Sequence, residues 1–191
     1  MKILLLDNHD SFTYNLAELL RGHNKVTFNI INPENLILKD VQQYDKILFS
    51  PGPGLPEEQP EMYKILHEYG QTKPVLGICL GLQAIATFFG GRLYNLPGVI
   101  HGQTRKLNIL RQDHYLFNGI PQQTEVGLYH SWAVKKETLP DCLEILSLSS
   151  DGIIMVLTHK TFNLCGFQFH PESIMTPLGR QLFANWLQKI N

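Results

Sequence analysis

The sequence predicts an α/β protein whose doubly wound, mostly parallel sheet is flanked by helices and has an antiparallel edge. In the first half of the chain, short apolar runs alternate with helical patterns, which is typical of parallel strands joined by helical crossovers. In the second half, apolar runs follow one another with only turns between them. These later strands are expected to continue the sheet and to form an antiparallel edge or flap.

Four apolar runs in the first half predict buried strands, over residues 3–6, 26–31, 47–49 and 75–78. Helical spacing of apolar residues predicts a helix up to about Arg21, with Asp10 or Ser11 as its cap. Further helices are predicted over residues 58–69 and 80–89, the second of them ending at Gly90-Gly91.

The second half predicts strands over residues 105–110, 125–134, 143–148, 153–158 and 164–169. Asp151-Gly152 is a hairpin-turn signal between two of them. Helix returns only over residues 178–190.

Bulk composition indicates one globular domain spanning residues 1–191, because single cores typically grow to roughly 250–300 residues before a chain divides. Hydrophobic residues make up 43% of the chain and charged residues 17%, which is enough apolar material for a core. The formal net charge is −1 and no Lys/Arg run stands out, so we expect no nucleic-acid partner.

Three cysteines, Cys79, Cys142 and Cys165, argue against a disulfide scaffold and fit a reducing compartment. No stretch approaches the ~20 apolar residues of a membrane span, so we expect a cytoplasmic protein without a membrane partner. Neither H-E-x-x-H nor C-x-x-C is present, so no metal is expected, and no cofactor in this chain.

The segment Gly77-Ile78-Cys79-Leu80-Gly81 lies where a predicted strand meets a predicted helix. A nucleophile on such a sharp turn needs small neighbours on both sides, as in the G-x-S-x-G elbow. The helix N-terminus after Cys79 would favour the thiolate, and the Leu80 N–H would point to a developing oxyanion. The alternative is a buried cysteine in a glycine-rich turn.

His170 and Glu172 follow the last predicted strand, and Pro171 favours extended backbone at His170. Residues two apart in an extended chain point to one side, so the two side chains would share a face opposite Phe167 and Phe169. A base oriented by a carboxylate is what a thiol nucleophile requires. The alternative is a solvated strand end in which the two meet by chance.

Two further segments are candidates for supporting roles. Ser50-Pro51-Gly52-Pro53-Gly54 would present bare N–H groups at Gly52 and Gly54, suited to a second oxyanion donor, although Pro-Gly repeats usually only form turns. His130 is a second base candidate, ranked below His170 because no carboxylate lies at extended-chain spacing.

Taken together, these segments resemble the class I glutamine amidotransferases, most closely the glutaminase subunits of anthranilate synthase and aminodeoxychorismate synthase. The resemblance covers essentially the whole chain and implies a flavodoxin-like doubly wound fold. The motifs are Leu6 to Asn15, Ser50 to Gly54, Gly77 to Gln83, His101-Gly102, Tyr129-His130-Ser131 and Gly166 to Ser173. Departures at Leu82, Gln103 and Trp132 bear on partner contacts and glutamine affinity.

The resemblance implies that Cys79 is the nucleophile, His170 the general acid/base and Glu172 its orienter. It places the oxyanion hole at the N–H groups of Gly54 and Leu80. Glutamine would be held by the residues Gly52, Pro53, Gly54, Gln83, Ser131 and Trp132. Ammonia would pass to a chorismate-binding synthase component I, and residues 10–15 would lie toward that partner.

The sequence leaves the acceptor open between anthranilate and aminodeoxychorismate synthesis, because relatives of both kinds share these motifs. Three rivals remain: an amidotransferase serving another acceptor, an idle subunit that binds glutamine without turnover, and a thiol hydrolase or peptidase of similar fold. The intact set of Cys79, His170 and Glu172 argues against the idle subunit, and a hydrolase would not need residues 10–15.

Overall fold

A computed structural model describes residues 1–189 of the chain, and within them nine strands form one sheet. The strands are β1 (Lys2–Leu6), β2 (Thr27–Ile31), β3 (Lys46–Phe49), β4 (Val75–Ile78), β5 (Leu93–Ile109), β6 (Glu125–Val134), β7 (Leu143–Ser149), β8 (Ile154–His159) and β9 (Leu164–Phe167). The helices are α1 (Thr13–Arg21), α2 (Pro60–Tyr69), α3 (Leu80–Phe88) and α4 (Gly179–Gln188). The strand order is β2-β1-β3-β4-β9-β8-β7-β5-β6.

The first five strands in this order, β2 to β9, pair in parallel. β1, β3, β4 and β9 are buried almost throughout, as helix-covered parallel strands require, whereas the edge strand β2 is exposed or half-buried at every position. Two hydrophobic clusters form the core. β9 returns from the end of the chain to pair beside β4, with Leu76 opposite Cys165. This pairing places the segment after β4 next to the segment after β9, which is the position of the candidate site.

The remaining strands, β8, β7, β5 and β6, pair antiparallel, which confirms the predicted antiparallel edge. β5 is much longer than the predicted 105–110 strand. It begins at Leu93 and pairs with β6 through two irregularities, one between Asn95 and Ile100 and one between His101 and Gln103. Bulges of this kind bend a strand and explain why no simple alternation marks its first half.

Other boundaries differ by a few residues. The predicted cap at Asp10 or Ser11 is wrong, because α1 begins at Thr13 without a side-chain cap, and Asp10 instead accepts from the Phe12 N–H (2.8 Å). α2 begins at Pro60 after a short 3₁₀ turn, and β9 ends before Phe169. Residue 190 of the last predicted helix lies outside the described residues. Within residues 1–189, no helix combines the length and hydropathy needed to cross a membrane.

Candidate active site

Cys79 occupies a strained turn between β4 and α3, with φ 51° and ψ −100°. Strand and helix approach so closely here that a Cβ on Gly77 would lie 2.2 Å from the Gly81 carbonyl carbon, and one on Gly81 would lie 2.8 Å from Phe49 Cβ. Only glycine fits either position. The Cys79 N–H donates to the Phe167 carbonyl at the end of β9 (2.7 Å). The predicted elbow is therefore present, and its cysteine occupies an uncommon conformation of the kind that clusters at functional sites.

His170 and Glu172 form a buried pair, with Nδ1 of the histidine 2.7 Å from Oε1 of the carboxylate. Their side chains are 2% and 0% exposed. The extended chain expected to continue through Glu172 is wrong, because Pro171 and Glu172 form a turn in which the Ser173 N–H donates to the His170 carbonyl (3.2 Å). This turn, and not the alternation of side chains along a strand, brings the His170 and Glu172 side chains together.

The environment of His170 favours its protonated form. Burial lowers the pKa of His170, but the Cys79 thiol and the Glu172 carboxylate outweigh burial and raise that pKa above its ordinary value. The other ring nitrogen, Nε2, is buried and has no hydrogen-bond partner among residues 1–189. It is free to exchange a proton with the neighbouring thiol.

A cleft of about 240 Å³ opens beside Cys79. It is lined by Gly52, Pro53, Gly54, Cys79, Leu80, Gln83, Tyr129, His130, Ser131 and Trp132. Every residue that was predicted from the sequence to bind substrate or to form the oxyanion hole therefore borders this one cleft. His170 and Glu172 do not belong to this lining, and their side chains are buried.

The two nominated oxyanion donors lie on different elements of the cleft. Leu80 is the first residue of α3, where backbone N–H groups have no intrahelical acceptor. Gly54 has a φ of +74°, a left-handed conformation, and a Cβ there would lie 2.6 Å from Glu58 Oε2. Glu58 accepts from the neighbouring Leu55 N–H (3.1 Å), which fixes the carboxylate against this loop.

His130 also borders the cleft, but it lacks the features of the His170 pair. Its Nδ1 lies 2.9 Å from the Trp132 carbonyl, which can only accept, so this nitrogen carries the proton. Burial lowers the pKa of His130, and no carboxylate hydrogen-bonds to it within residues 1–189. It is a neutral imidazole held by the backbone.

Two aromatic residues that the sequence did not nominate pack against His170. The Tyr129 and Phe12 rings lie 5.0 Å and 5.1 Å from the imidazole, centroid to centroid, and 4.9 Å from each other. Phe12 belongs to the segment 10–15 that was expected near the partner. Both residues belong to motifs named above. Phe12 lies 158 residues and Tyr129 lies 41 residues from His170 in the chain, and ring packing over such separations cannot be predicted from a single sequence. No group of three His, Cys, Asp or Glu side chains within residues 1–189 is placed to hold a metal ion.

Comparison with known proteins decides the family. The family model described as "Glutamine amidotransferase class-I" matches residues 4–190. The chain belongs to the class I glutamine amidotransferases. This amidotransferase is accordingly a glutamine-hydrolysing enzyme, and the resemblance seen in its motifs is confirmed.

Its relatives include both kinds of synthase component. A Haemophilus influenzae protein named for anthranilate synthase component II is 45% identical over 98% of this chain and 96% of its own length. Aminodeoxychorismate synthase component 2 of Klebsiella aerogenes is 40% identical over 98% of this chain and its whole length. Anthranilate synthase component 2 of Pseudomonas putida is 38% identical over 99% of this chain and 98% of its own length.

Solved structures show the same fold. A Thermoplasma acidophilum protein, described as part of a GMP synthase, superposes with a TM-score of 0.86 at 25% identity, covering 98% of this chain and 92% of that one. A Thermotoga maritima glutamine amidotransferase superposes with a TM-score of 0.75 at 17% identity, covering 96% of this chain and 81% of that one. The predicted fold class is confirmed.

Proposed function

We propose that this amidotransferase hydrolyses L-glutamine through a γ-glutamyl thioester on Cys79 and delivers the ammonia to a chorismate-using synthase subunit. The observation that supports the chemistry best is the arrangement around Cys79. The thiol stands on a strained elbow at the edge of a cleft, next to a histidine whose Nδ1 is 2.7 Å from a fully buried carboxylate.

In the first half of the reaction, the Cys79 thiolate attacks the side-chain amide carbon of glutamine and a C–S bond forms. The N–H groups of Gly54 and Leu80 hold the resulting oxyanion, and loss of one such donor costs roughly 3 kcal/mol in other hydrolases. The His170 imidazolium then gives its Nε2 proton to the departing nitrogen as the C–N bond breaks. Ammonia leaves, and the glutamyl group remains on sulfur.

In the second half, neutral His170 takes a proton from a water that attacks the thioester carbon. The C–S bond breaks, glutamate leaves, and the sulfur departs as thiolate beside the re-formed imidazolium. Glu172 stabilises that imidazolium through Nδ1 in both halves and keeps the ring oriented. The raised pKa of His170 suits this cycle, because the imidazolium is the form that gives a proton to the departing nitrogen.

The amino-acid end of glutamine would be held on the opposite wall of the cleft. The side-chain NH₂ group of Gln83 donates to the Trp132 carbonyl and to the side-chain oxygen of Gln168. The side-chain oxygen of Gln83 is therefore the atom that can accept from a substrate ammonium. The backbone at Ser131 and Trp132 and the loop from Gly52 to Gly54 complete the wall.

The acceptor of the ammonia is proposed from the relatives, which are named for anthranilate synthase and aminodeoxychorismate synthase. Phe12 supports a partner-linked site, because it joins the segment 10–15 to the His170 ring. Gly54 offers a second link between the partner and the site. Because Gly54 has no side chain, its backbone can rotate to φ values that other residues cannot adopt. We therefore expect the isolated chain to hydrolyse glutamine slowly and the partner to accelerate it.

The test is to co-express the chain with each candidate synthase and to identify which one co-purifies. Glutamate release is then measured for the chain alone and for each complex. We expect a stable complex with a chorismate-using synthase. Hydrolysis in that complex should be at least about tenfold faster, because one oxyanion donor moved into place can change the rate by that much or more. Full activity of the chain alone, with no synthase retained, would contradict the proposed partner.

A further inference from the structure

A chain of side-chain amides connects the substrate wall of the cleft to the Cys79 sulfur. Nε2 of Gln83 donates to the Trp132 carbonyl (2.8 Å) and to Oε1 of Gln168 (3.2 Å). Nε2 of Gln168 in turn lies 3.5 Å from Cys79 Sγ. The two glutamines are 3% and 0% exposed. Neither the elbow nor the His170–Glu172 pair accounts for this buried polar chain.

The direction of the chain follows from its fixed end. A backbone carbonyl can only accept, so Gln83 must turn its NH₂ group toward Trp132. The second N–H of that group needs an acceptor, so Gln168 must turn its carbonyl oxygen toward Gln83. The NH₂ group of Gln168 is then the one that faces the sulfur, and either amide turned the other way would set two donors or two acceptors against each other.

We propose that Gln168 is a positioning residue for the nucleophile: its N–H, oriented by Gln83 and the Trp132 carbonyl, stabilises the Cys79 thiolate and holds it at the attacking angle. This inference rests on the nucleophilic role proposed above for Cys79. Sulfur accepts hydrogen bonds better as thiolate than as thiol, so a fixed donor favours the ionised form. The donor needs no proton transfer of its own, which distinguishes it from His170.

The arrangement also connects substrate binding to the sulfur. Trp132 and Gln83 both border the cleft, whereas Gln168 does not. A ligand that shifts the Trp132 backbone or the Gln83 amide changes how firmly the Gln168 donor is held. The titratable groups around the sulfur are His170 with its partner Glu172, and Tyr129 and His130 on the lining of the cleft. None of these belongs to the amide chain.

The decisive experiment measures the rate at which iodoacetamide alkylates Cys79 as a function of pH, with sites mapped by peptide mass spectrometry. Gln168→Met keeps the volume but removes the donor. Gln168→Glu keeps the acceptor for Gln83 but presents an oxygen to the sulfur. One hydrogen bond to a charged group is worth about one pH unit, so the Met variant should shift the alkylation profile upward by about one unit, and the Glu variant further.

Glutamine turnover supplies a second readout. At neutral pH the kcat of Gln168→Met should fall about tenfold, with KM changed little, and should recover as pH rises, because deprotonation then no longer needs the donor. A defect that is only structural would not be rescued by pH. Gln83→Met should shift the Cys79 profile in the same direction by less, because Gln168 keeps its donor but loses its orientation.

Cys142 is an internal control, since it is half-buried and packs against the hydrophobic cluster that does not contain Cys79. Its alkylation profile should be the same in every variant. Should Gln168→Glu fail to fold, Gln168→Asn takes its place, because a shorter amide loses its reach to the sulfur. Unchanged Cys79 profiles in folded Gln168 and Gln83 variants would overturn the proposal. Failure of the wild-type chain to alkylate at Cys79 while it still hydrolyses glutamine would instead overturn the nucleophile assignment.

Discussion

Replacing Glu172 with Gln tests the electrostatic part of the site with little change of shape. The Glu172 side chain is 0% exposed in the wild type, and its Oε1 lies 2.7 Å from His170 Nδ1. An amide oxygen can still accept from Nδ1, but it carries no charge to stabilise the imidazolium. Hydrogen bonds to charged groups contribute about 1.5–3 kcal/mol, so kcat/KM should fall roughly 10- to 150-fold.

The pH dependence should shift in a stated direction. Burial lowers the pKa of His170, while the Cys79 thiol and Glu172 raise it above its ordinary value. Without the carboxylate charge, burial gains weight and the pKa falls. In the proposed mechanism the imidazolium protonates the departing nitrogen, so the alkaline limb of kcat against pH should move to lower pH in Glu172→Gln.

The assay is glutamate release across the pH range, with Glu137→Gln as the matched control because Glu137 is exposed on a 3₁₀ turn. His170→Ala sets the upper limit, since loss of proton transfer costs about 10²–10⁴-fold. Equal rates and the same alkaline limb in Glu172→Gln and Glu137→Gln would show that the Glu172 charge does not support His170.

Three further outcomes are expected. A glutamine-analogue alkylator should label Cys79 and not Cys165, whose pKa burial raises to about 12, and mass spectrometry of the labelled chain would contradict this by finding label after Cys79→Ala. His130→Phe should reduce kcat/KM by about tenfold or less, well short of the 10²–10⁴-fold expected for His170→Ala, and a reversed ranking in the same assay would make His130 the base. Gly81→Ala should lower the free energy of unfolding by about 1–3 kcal/mol in urea titrations, because its Cβ would lie 2.8 Å from Phe49 Cβ, whereas Gly98→Ala, with open space around it, should be nearly neutral.

The parallel half of the fold was predictable because its signals are local. Each strand is a short apolar run, and α1, α2 and α3 follow β1, β3 and β4 as helical patterns of ordinary length, whereas only 3₁₀ turns lie between β2 and β3. β5 was predicted only in part, since its first half runs mostly along the surface and contains Pro97 and Gly98, two residues that usually end strands. Only pairing with β6, which is distant in sequence, shows that this segment is a strand.

The site residues were predicted from motifs. Their arrangement differs from the prediction in how His170 and Glu172 come together. His170 and Glu172 pair through a turn, where the sequence suggested an extended strand. The side assignment was nevertheless sound for the aromatic residues, because the Phe167 and Phe169 rings stack 4.9 Å apart. The same alternation places Gln168 on the side away from those rings, so a signal for it was present.

Phe12 and Lys46 illustrate what a single sequence does not reveal. Phe12 reads as one apolar position of a helix, but its ring packs on His170. Lys46 precedes the predicted strand 47–49, yet it is buried and donates to the Trp186, Leu187 and Lys189 carbonyls at the end of α4. Both roles depend on contacts between segments more than a hundred residues apart.

The most direct test of the account is synthesis by the complex of this amidotransferase with its proposed synthase partner, compared with glutamine and with ammonium salts as nitrogen source. Cys79→Ala removes the proposed nucleophile but leaves the synthase its nitrogen supply from solution. We expect the Cys79→Ala complex to lose glutamine-dependent synthesis while it keeps the wild-type rate with ammonia. Glutamine-dependent synthesis that survives Cys79→Ala, or loss of the ammonia-dependent reaction in a complex whose two chains remain associated, would contradict the account.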